Sequence, residues 1–353
     1  MLRIVKGGPI KAVPTNIITG FLGAGKTTAI NHLLANKPSE ERWAVLVNEF
    51  GQIGVDQSLL TAGEDIRISE IPGGCLCCTR GPQMRVALAR LLREVKPDRL
   101  LIEPTGLGHP TGIVDLLTGP DFSSAIDLRS MICLIDPQIL DDPRALRHPV
   151  FNDQIELADI LVLNKVDLCS TEQLDEAQQL SDNMFPAKAS VLTTTRGEIP
   201  AALLDLTSAP QTHTGISLTP GRHALSQVAQ VAQVAAETGE DSHSAGVAPG
   251  QPLLQSGELD GMYSYSWQFH PQDCFDSDAI LALLDAESEP LRIKAILRIG
   301  YAWISYNRSL SDDREVRESS WRRDSRIEII NDRELDTEAF GQRLHACLKR
   351  EKN

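Results

Sequence analysis

The stretch GFLGAGKT, from Gly20 to Thr27, has residue types and spacing suited to holding phosphate. Gly20, Gly23 and Gly25 permit a tight loop whose backbone N–H groups, that of Ala24 included, point inward at an anion. A β-branched run, Asn16-Ile17-Ile18-Thr19, precedes the loop, and Ile30, Leu33 and Leu34 follow at helical spacing. A strand therefore feeds the positive end of a helix, where anions bind. Lys26 would reach the β- and γ-phosphates and stabilise charge during their chemistry. Thr27 would offer its hydroxyl to Mg²⁺, and Thr28 would bind an earlier phosphate.

A phosphate loop does not choose a base. In ADILVLNKVDL, an apolar strand from Ile160 to Leu163 delivers Asn164, Lys165 and Asp167 in an N-K-x-D arrangement that resembles the guanine-reading motif of GTPases. A carboxylate at Asp167 can accept from the ring N1–H and the exocyclic amine of guanine, an amine that adenine lacks there. Lys165 can lie along the base plane, and Asn164 can tie this loop to the phosphate loop. Between the two motifs, DRLLIEPTGLGHP reads as a buried strand ending in Glu103 and Gly106. Glu103 would sit near Mg²⁺ or its water shell and count among the catalytic groups, while the Gly106 N–H could sense a γ-phosphate. His109 reads as a loop histidine.

The sequence IPGGCLCCTRG places Cys75, Cys77 and Cys78 within four residues. Thiolates suit Zn²⁺, Cu⁺ or Co²⁺, and Gly73-Gly74 lets the backbone turn so that neighbouring sulfurs converge. A further ligand must then come from elsewhere. The Cys75/Cys78 spacing also permits a redox pair, although nothing nearby resembles a thioredoxin helix. Upstream, VNEFGQIGVD supplies Glu49, as an added transition-metal ligand or a carboxylate near Mg²⁺, and Asp56, a second carboxylate for Mg²⁺. The other four of the seven cysteines, Cys133, Cys169, Cys274 and Cys347, are scattered and read as small packing residues.

GFLGAGKTT, VNEFGQIGVD, IPGGCLCC, IEPTGLGHP and LNKVD, in this order, resemble the CobW-type branch of P-loop GTPases, and within it the zinc-binding metallochaperone subgroup. The resemblance covers most of residues 15 to 200 and continues into the C-terminal segment. It implies GTP binding, slow hydrolysis open to stimulation by metal or client, and nucleotide-dependent handling of Zn²⁺, Co²⁺ or a similar ion for a client metalloprotein. Many relatives carry a glutamate where this chain has Gln52, which removes one anionic ligand. A sensor or storage protein with structural GTP is the alternative reading.

These residues need a scaffold, and the sequence outlines one. Apolar runs at WAVLVN, RLLIE, SMICLID and DILVLN alternate with helical stretches such as MRVALARLLREV. The pattern gives an α/β domain over residues 1–208, a mostly parallel sheet with helices on both faces. Residues 209–261, rich in Ala, Gln, Ser, Gly and Pro, read as a flexible linker containing His213, His223 and His243 as solvated residues. From 262 to 353, strands at YSYSWQ, RIKAILRIG, YAWISYNR and SRIEIIN with two helices indicate a smaller α+β domain. Its aromatic residues read mainly as packing. The net charge of −14 disfavours nucleic acid and anionic membrane as partners. With no apolar run of eighteen residues and no signal-peptide pattern, a cytoplasmic protein is expected, with a homodimer left open.

Overall fold

In the computed structural model, the described residues are 12–47, 66–70, 81–206, 247–259, 261–287, 290–309 and 314–349. The apolar run around Ile17 forms β1 (Val13–Gly20), and the glycine loop leads to α1 (Lys26–Ala35). Then come β2 (Trp43–Val47), β3 (Ile66–Glu70), α2 (Gly81–Val95), β4 (Arg99–Glu103), α3 (Thr111–Thr118) and β5 (Ile126–Ile135). A short α4 (Pro143–Leu146), α5 (Pro149–Leu157), β6 (Ile160–Leu163), α6 (Thr171–Asp182) and β7 (Ser190–Thr193) complete this part. The seven strands lie in the order β3-β2-β4-β1-β5-β6-β7, with every recorded pairing parallel. Strands covered on both faces need apolar side chains at successive positions, which explains the continuous runs WAVLV and ILVL. On one face, Met84, Leu88 and Leu91 of α2 and Ile113, Val114 and Leu117 of α3 pack against Ile17, Leu46, Leu100 and Ile102.

Because the strands are parallel, the glycine loop, the segment after β4 and the segment after β6 all leave the same carboxyl-terminal edge of the sheet. At the opposite edge, Arg99 is almost fully buried. Its Nη1 donates to Asn16 Oδ1 at 2.9 Å and to the Leu204 carbonyl at 3.2 Å, and the guanidinium also pairs with Asp205. Asn16 Nδ2 donates to the same Leu204 carbonyl at 3.0 Å. Ser130 Oγ donates to Leu203 O at 2.7 Å and the Ser130 N–H to Leu206 O at 3.0 Å. A 3₁₀ turn, Ala201–Asp205, is thereby strapped to the sheet just before residue 207.

The chain divides into two compact units: the described residues to Gln178 with those from Ser190 to 206, and Gln179–Ala189 with those from 247 onward. The second contains β8 (Leu253–Leu259), β9 (Met262–Gln268), α7 (Ser277–Ala286), β10 (Arg292–Ile299), β11 (Ala302–Ser309), β12 (Glu315–Glu318), β13 (Arg326–Asn331) and α8 (Thr337–Ala346). Its antiparallel sheet runs β12-β11-β10-β13-β9-β8. The linker expected over 209–261 therefore ends too late, since Leu253–Leu259 pairs along the whole of β9. LLQSGEL lacks strict alternation because it is an edge strand whose pairing, rather than its burial, holds it in place. Residues 179–189 also depart from the expected first domain: Phe185 packs with Ile296, Trp303 and Trp321 of the second unit. Tyr265, Trp267 and Tyr306 are core residues there, as expected, packed with Phe340 and Leu344 of α8.

Candidate functional site

The glycine loop has the backbone its sequence requires. Gly20, Gly23 and Gly25 have φ of 145°, 76° and 97°. A Cβ on Gly20 would lie 2.5 Å from Leu134 O, and one on Gly25 would lie 2.4 Å from Asn164 Nδ2. Neither position tolerates a side chain in this arrangement. Gly25 precedes α1 without a side-chain cap, so the first helical N–H groups face the loop. Lys26 spans the loop, Nζ donating to Phe21 O at 3.3 Å, and Thr28 is exposed beside it.

Glu103 is 4% exposed at the end of β4, and Thr27 Oγ1 donates to its Oε1 at 3.0 Å. A hydroxyl and a buried carboxylate meeting beside a phosphate cradle form a hard-oxygen donor set fitted to Mg²⁺. Gly106 lies against the glycine loop: a Cβ there would come within 2.8 Å of Leu22 Cδ2 and 3.0 Å of Leu22 N. The turn after β4 is closed by the Gly108 N–H donating to Thr105 O at 2.9 Å.

Asn164, 1% exposed, joins three segments. Its Nδ2 donates to Ala24 O at 2.9 Å, and its Oδ1 accepts from the Gly197 N–H at 3.0 Å. Lys165 adopts the left-handed region (φ 63°), with Nζ 2.9 Å from Asp136 Oδ2. Asp167 is exposed on the 3₁₀ turn Val166–Leu168, open to a ligand. The segment after β7, Thr194-Thr195-Arg196-Gly197, was not singled out from the sequence. It completes the wall beside Asn164, with Arg196 (φ 53°) and Gly197 (φ 69°) turning the chain. A TTTRG run following an apolar strand was the available signal.

His109 proves to be paired, its Nδ1 meeting Asp153 Oδ2 of α5. The same helix places Phe151, with His148 just before it, edge-on against Phe21 of the glycine loop, at ring centroid separations of 5.9 and 5.3 Å. Cys169 Sγ lies 3.2 Å from Lys165 O; burial pushes its thiol pKa up, and Asp136 adds to this. Cys133 and Cys347 are buried, while Cys169 and Cys274 are half-buried. Cys75, Cys77, Cys78, Glu49 and Asp56 lie outside the described residues, as do His213, His223 and His243. Among the described residues no group of three or more His, Cys, Asp or Glu side chains could hold a metal ion, and no helix is long and apolar enough to cross a membrane.

A parallel sheet with a glycine-rich strand-to-helix loop, a buried acid beside the loop threonine and an N-K-x-D turn bonded to that loop defines a P-loop nucleotide-binding protein of the GTPase type. Residues 14–192 match the family described as CobW/HypB/UreG, nucleotide-binding domain. The chain belongs to this family. It is 40% identical over 331 residues to the zinc chaperone YeiR of Escherichia coli K12, covering 94% of this chain and 96% of that protein. It is 32% identical over 235 residues to the zinc chaperone CobW of Pseudomonas aeruginosa, covering 57% and 62%. The crystal structure of Zn(II)-bound YjiA GTPase from E. coli covers 96% of this chain and 100% of its own, with a TM-score of 0.43 and 19% identity.

Proposed function

We propose that this chain is a GTP-hydrolysing zinc chaperone of the cytoplasm, which binds Zn²⁺ or a similar transition ion and couples its delivery to a client metalloprotein to the GTP/GDP cycle. The observation that carries the nucleotide part is Asn164, whose one buried amide bonds both the phosphate loop at Ala24 and the wall segment at Gly197. A base read at Asp167 and a phosphate held at Gly20–Thr28 then belong to one rigid unit. The metal part is supported by the thiolate chemistry of Cys75, Cys77 and Cys78, with Glu49 as an added ligand, and by relatives named as zinc chaperones.

In hydrolysis, water attacks the γ-phosphate, and charge grows on the phosphate oxygens. Lys26 opposes that charge, as do the N–H groups at the start of α1, whereas the Ala24 N–H donates to Phe21 O at 3.2 Å within the loop. Thr27 and Glu103, joined by Asp56, would hold Mg²⁺, which when bound supplies further charge neutralisation. Gly106 contributes an N–H toward the terminal phosphate, and Thr28 serves an earlier one. Asp167 accepts from guanine, with Lys165 along the base plane.

The deciding experiment compares turnover of GTP and ATP by the purified chain with and without added Zn²⁺. GTP-specific release of phosphate that responds to Zn²⁺ is expected. Absence of turnover under every condition would instead identify a storage or sensing protein. Co²⁺ substitution should give a thiolate charge-transfer band that serine at Cys75, Cys77 and Cys78 diminishes stepwise.

A further inference from the structure

We infer that Gln154 is a positioning residue for GTP hydrolysis, setting the loop after β4 through two of its carbonyls so that the loop distinguishes a γ-phosphate from its absence. The inference rests on Gly106 facing the terminal phosphate, as in the function proposed above.

Gln154 is fully buried on α5. Its Nε2 donates to Gly106 O at 3.2 Å and to Gly108 O at 3.3 Å. Two carbonyl partners fix the amide's orientation, since the reversed amide would set oxygen against oxygen. Its Oε1 is buried and has no hydrogen-bond donor among the described residues. Buried amide oxygens are normally paired. Among the described residues, the side chain's hydrogen bonds are therefore on the loop side alone.

The loop is held from both sides. Gly106 abuts Leu22 so closely that a methyl group would not fit there without a shift. A displacement of this peptide also moves its carbonyl, which Gln154 holds. Asp153, the preceding residue of α5, grips His109 at the far end of the same loop. One helix thus contacts the loop at residues 106, 108 and 109. Phe151 of that helix also touches Phe21 in the phosphate loop, so both phosphate-facing segments share one support.

Replacing Gln154 should leave the phosphate loop and base-reading turn intact while loosening the Gly106 loop. The test uses the full chain carrying Gln154→Leu or Gln154→Met, each apolar and of related size. Affinities for GDP and a non-hydrolysable GTP analogue, the rate at saturating GTP and thermal melting are measured together. GDP affinity should change less than about twofold, while the hydrolysis rate falls about 5- to 150-fold, the range expected for losing a buried hydrogen-bonding pair. Equal weakening of both nucleotides, loss of GDP binding in both variants, or an unchanged hydrolysis rate would overturn the inference. Gly106→Ala separates this from the underlying site assignment. If that variant keeps the native preference for the GTP analogue over GDP, the assignment of Gly106 fails and the role of Gln154 fails with it. If Gly106→Ala alters the preference and neither Gln154 variant slows hydrolysis, only the role of Gln154 fails.

Discussion

Asn164→Ala would remove the amide that joins the glycine loop to the segment after β7. In the native chain Nδ2 donates to Ala24 O at 2.9 Å and Oδ1 accepts from Gly197 N at 3.0 Å, at a residue 1% exposed. Alanine leaves a carbonyl and an N–H in a buried place with neither partner. Each orphaned group costs roughly 1–3 kcal/mol, so the pair amounts to roughly 2–6 kcal/mol before relaxation. Nearby Gly25 gives the backbone room to adjust, which points to the lower half of that range, about 2–4 kcal/mol. For a domain of this size each kcal/mol shifts the melting temperature by about 2–4 °C, so the nucleotide-free protein should melt about 4–16 °C lower. Asn164→Asp separates the two bonds, since a carboxylate still accepts from Gly197 but opposes the Ala24 carbonyl. The assays are thermal melting without nucleotide and titration with a fluorescent GDP derivative. Alanine should weaken GDP binding as well as stability, because the two walls no longer hold a common spacing. Native melting and native GDP affinity in Asn164→Ala would refute the claim that this amide couples the segments.

Asp167→Asn should weaken GTP and relatively favour xanthine nucleotides, because an accepting carboxylate becomes a donor-bearing amide; competition binding with the two nucleotides checks this. Lys26→Ala should abolish GTP hydrolysis while the circular dichroism spectrum stays native, and residual native turnover would remove Lys26 from the chemistry. Tyr306 tests the second unit: burial, followed by its hydrogen bond to Asp285, pushes the phenol pKa up from 10.0 to about 12. A folded-state value raised above the unfolded one gives stability that is complete below about pH 10 and lost as pH rises toward about 12. Denaturant melts of native chain and Tyr306→Phe should therefore converge across that window, and parallel curves would contradict the assignment.

The elements most legible in the sequence were those whose local pattern and tertiary role coincide. Buried parallel strands need apolar residues at every position, so RLLIE and DILVLN announced themselves, and the glycine loop carries its own backbone requirement. Glu103 could be placed beside Thr27 because the strand that ends in it runs next to the strand that ends in the loop. The support from α5 was not legible. PVFNDQIEL contains no motif, and Phe151, Asp153 and Gln154 acquire their contacts only when the helix is laid beside two loops distant in sequence. His109 was similarly plain until Asp153 stood next to it. The α+β character of the second unit followed from its alternation of strands and helices, but β8 did not. An edge strand held by backbone pairing leaves little trace in side-chain pattern, and the capture of residues 179–189 leaves none.

The strap at Leu203–Leu206 gives this fold a mechanical property. Between Gly197, bonded at the carboxyl edge of the sheet, and Leu204, bonded at the amino edge by Asn16 and Arg99, the chain crosses the whole layer. Tension applied to the chain beyond residue 206 meets the buried contacts of Asn16, Arg99 and Ser130 first, and these load together because they clasp adjacent residues. The strap acts as a cable clamp at the housing: the chain beyond residue 206 can be pulled while the segment around Gly197 stays slack. A pull on the chain beyond residue 206 would then leave the bond between Asn164 and Gly197 unloaded until the clamp itself gives way.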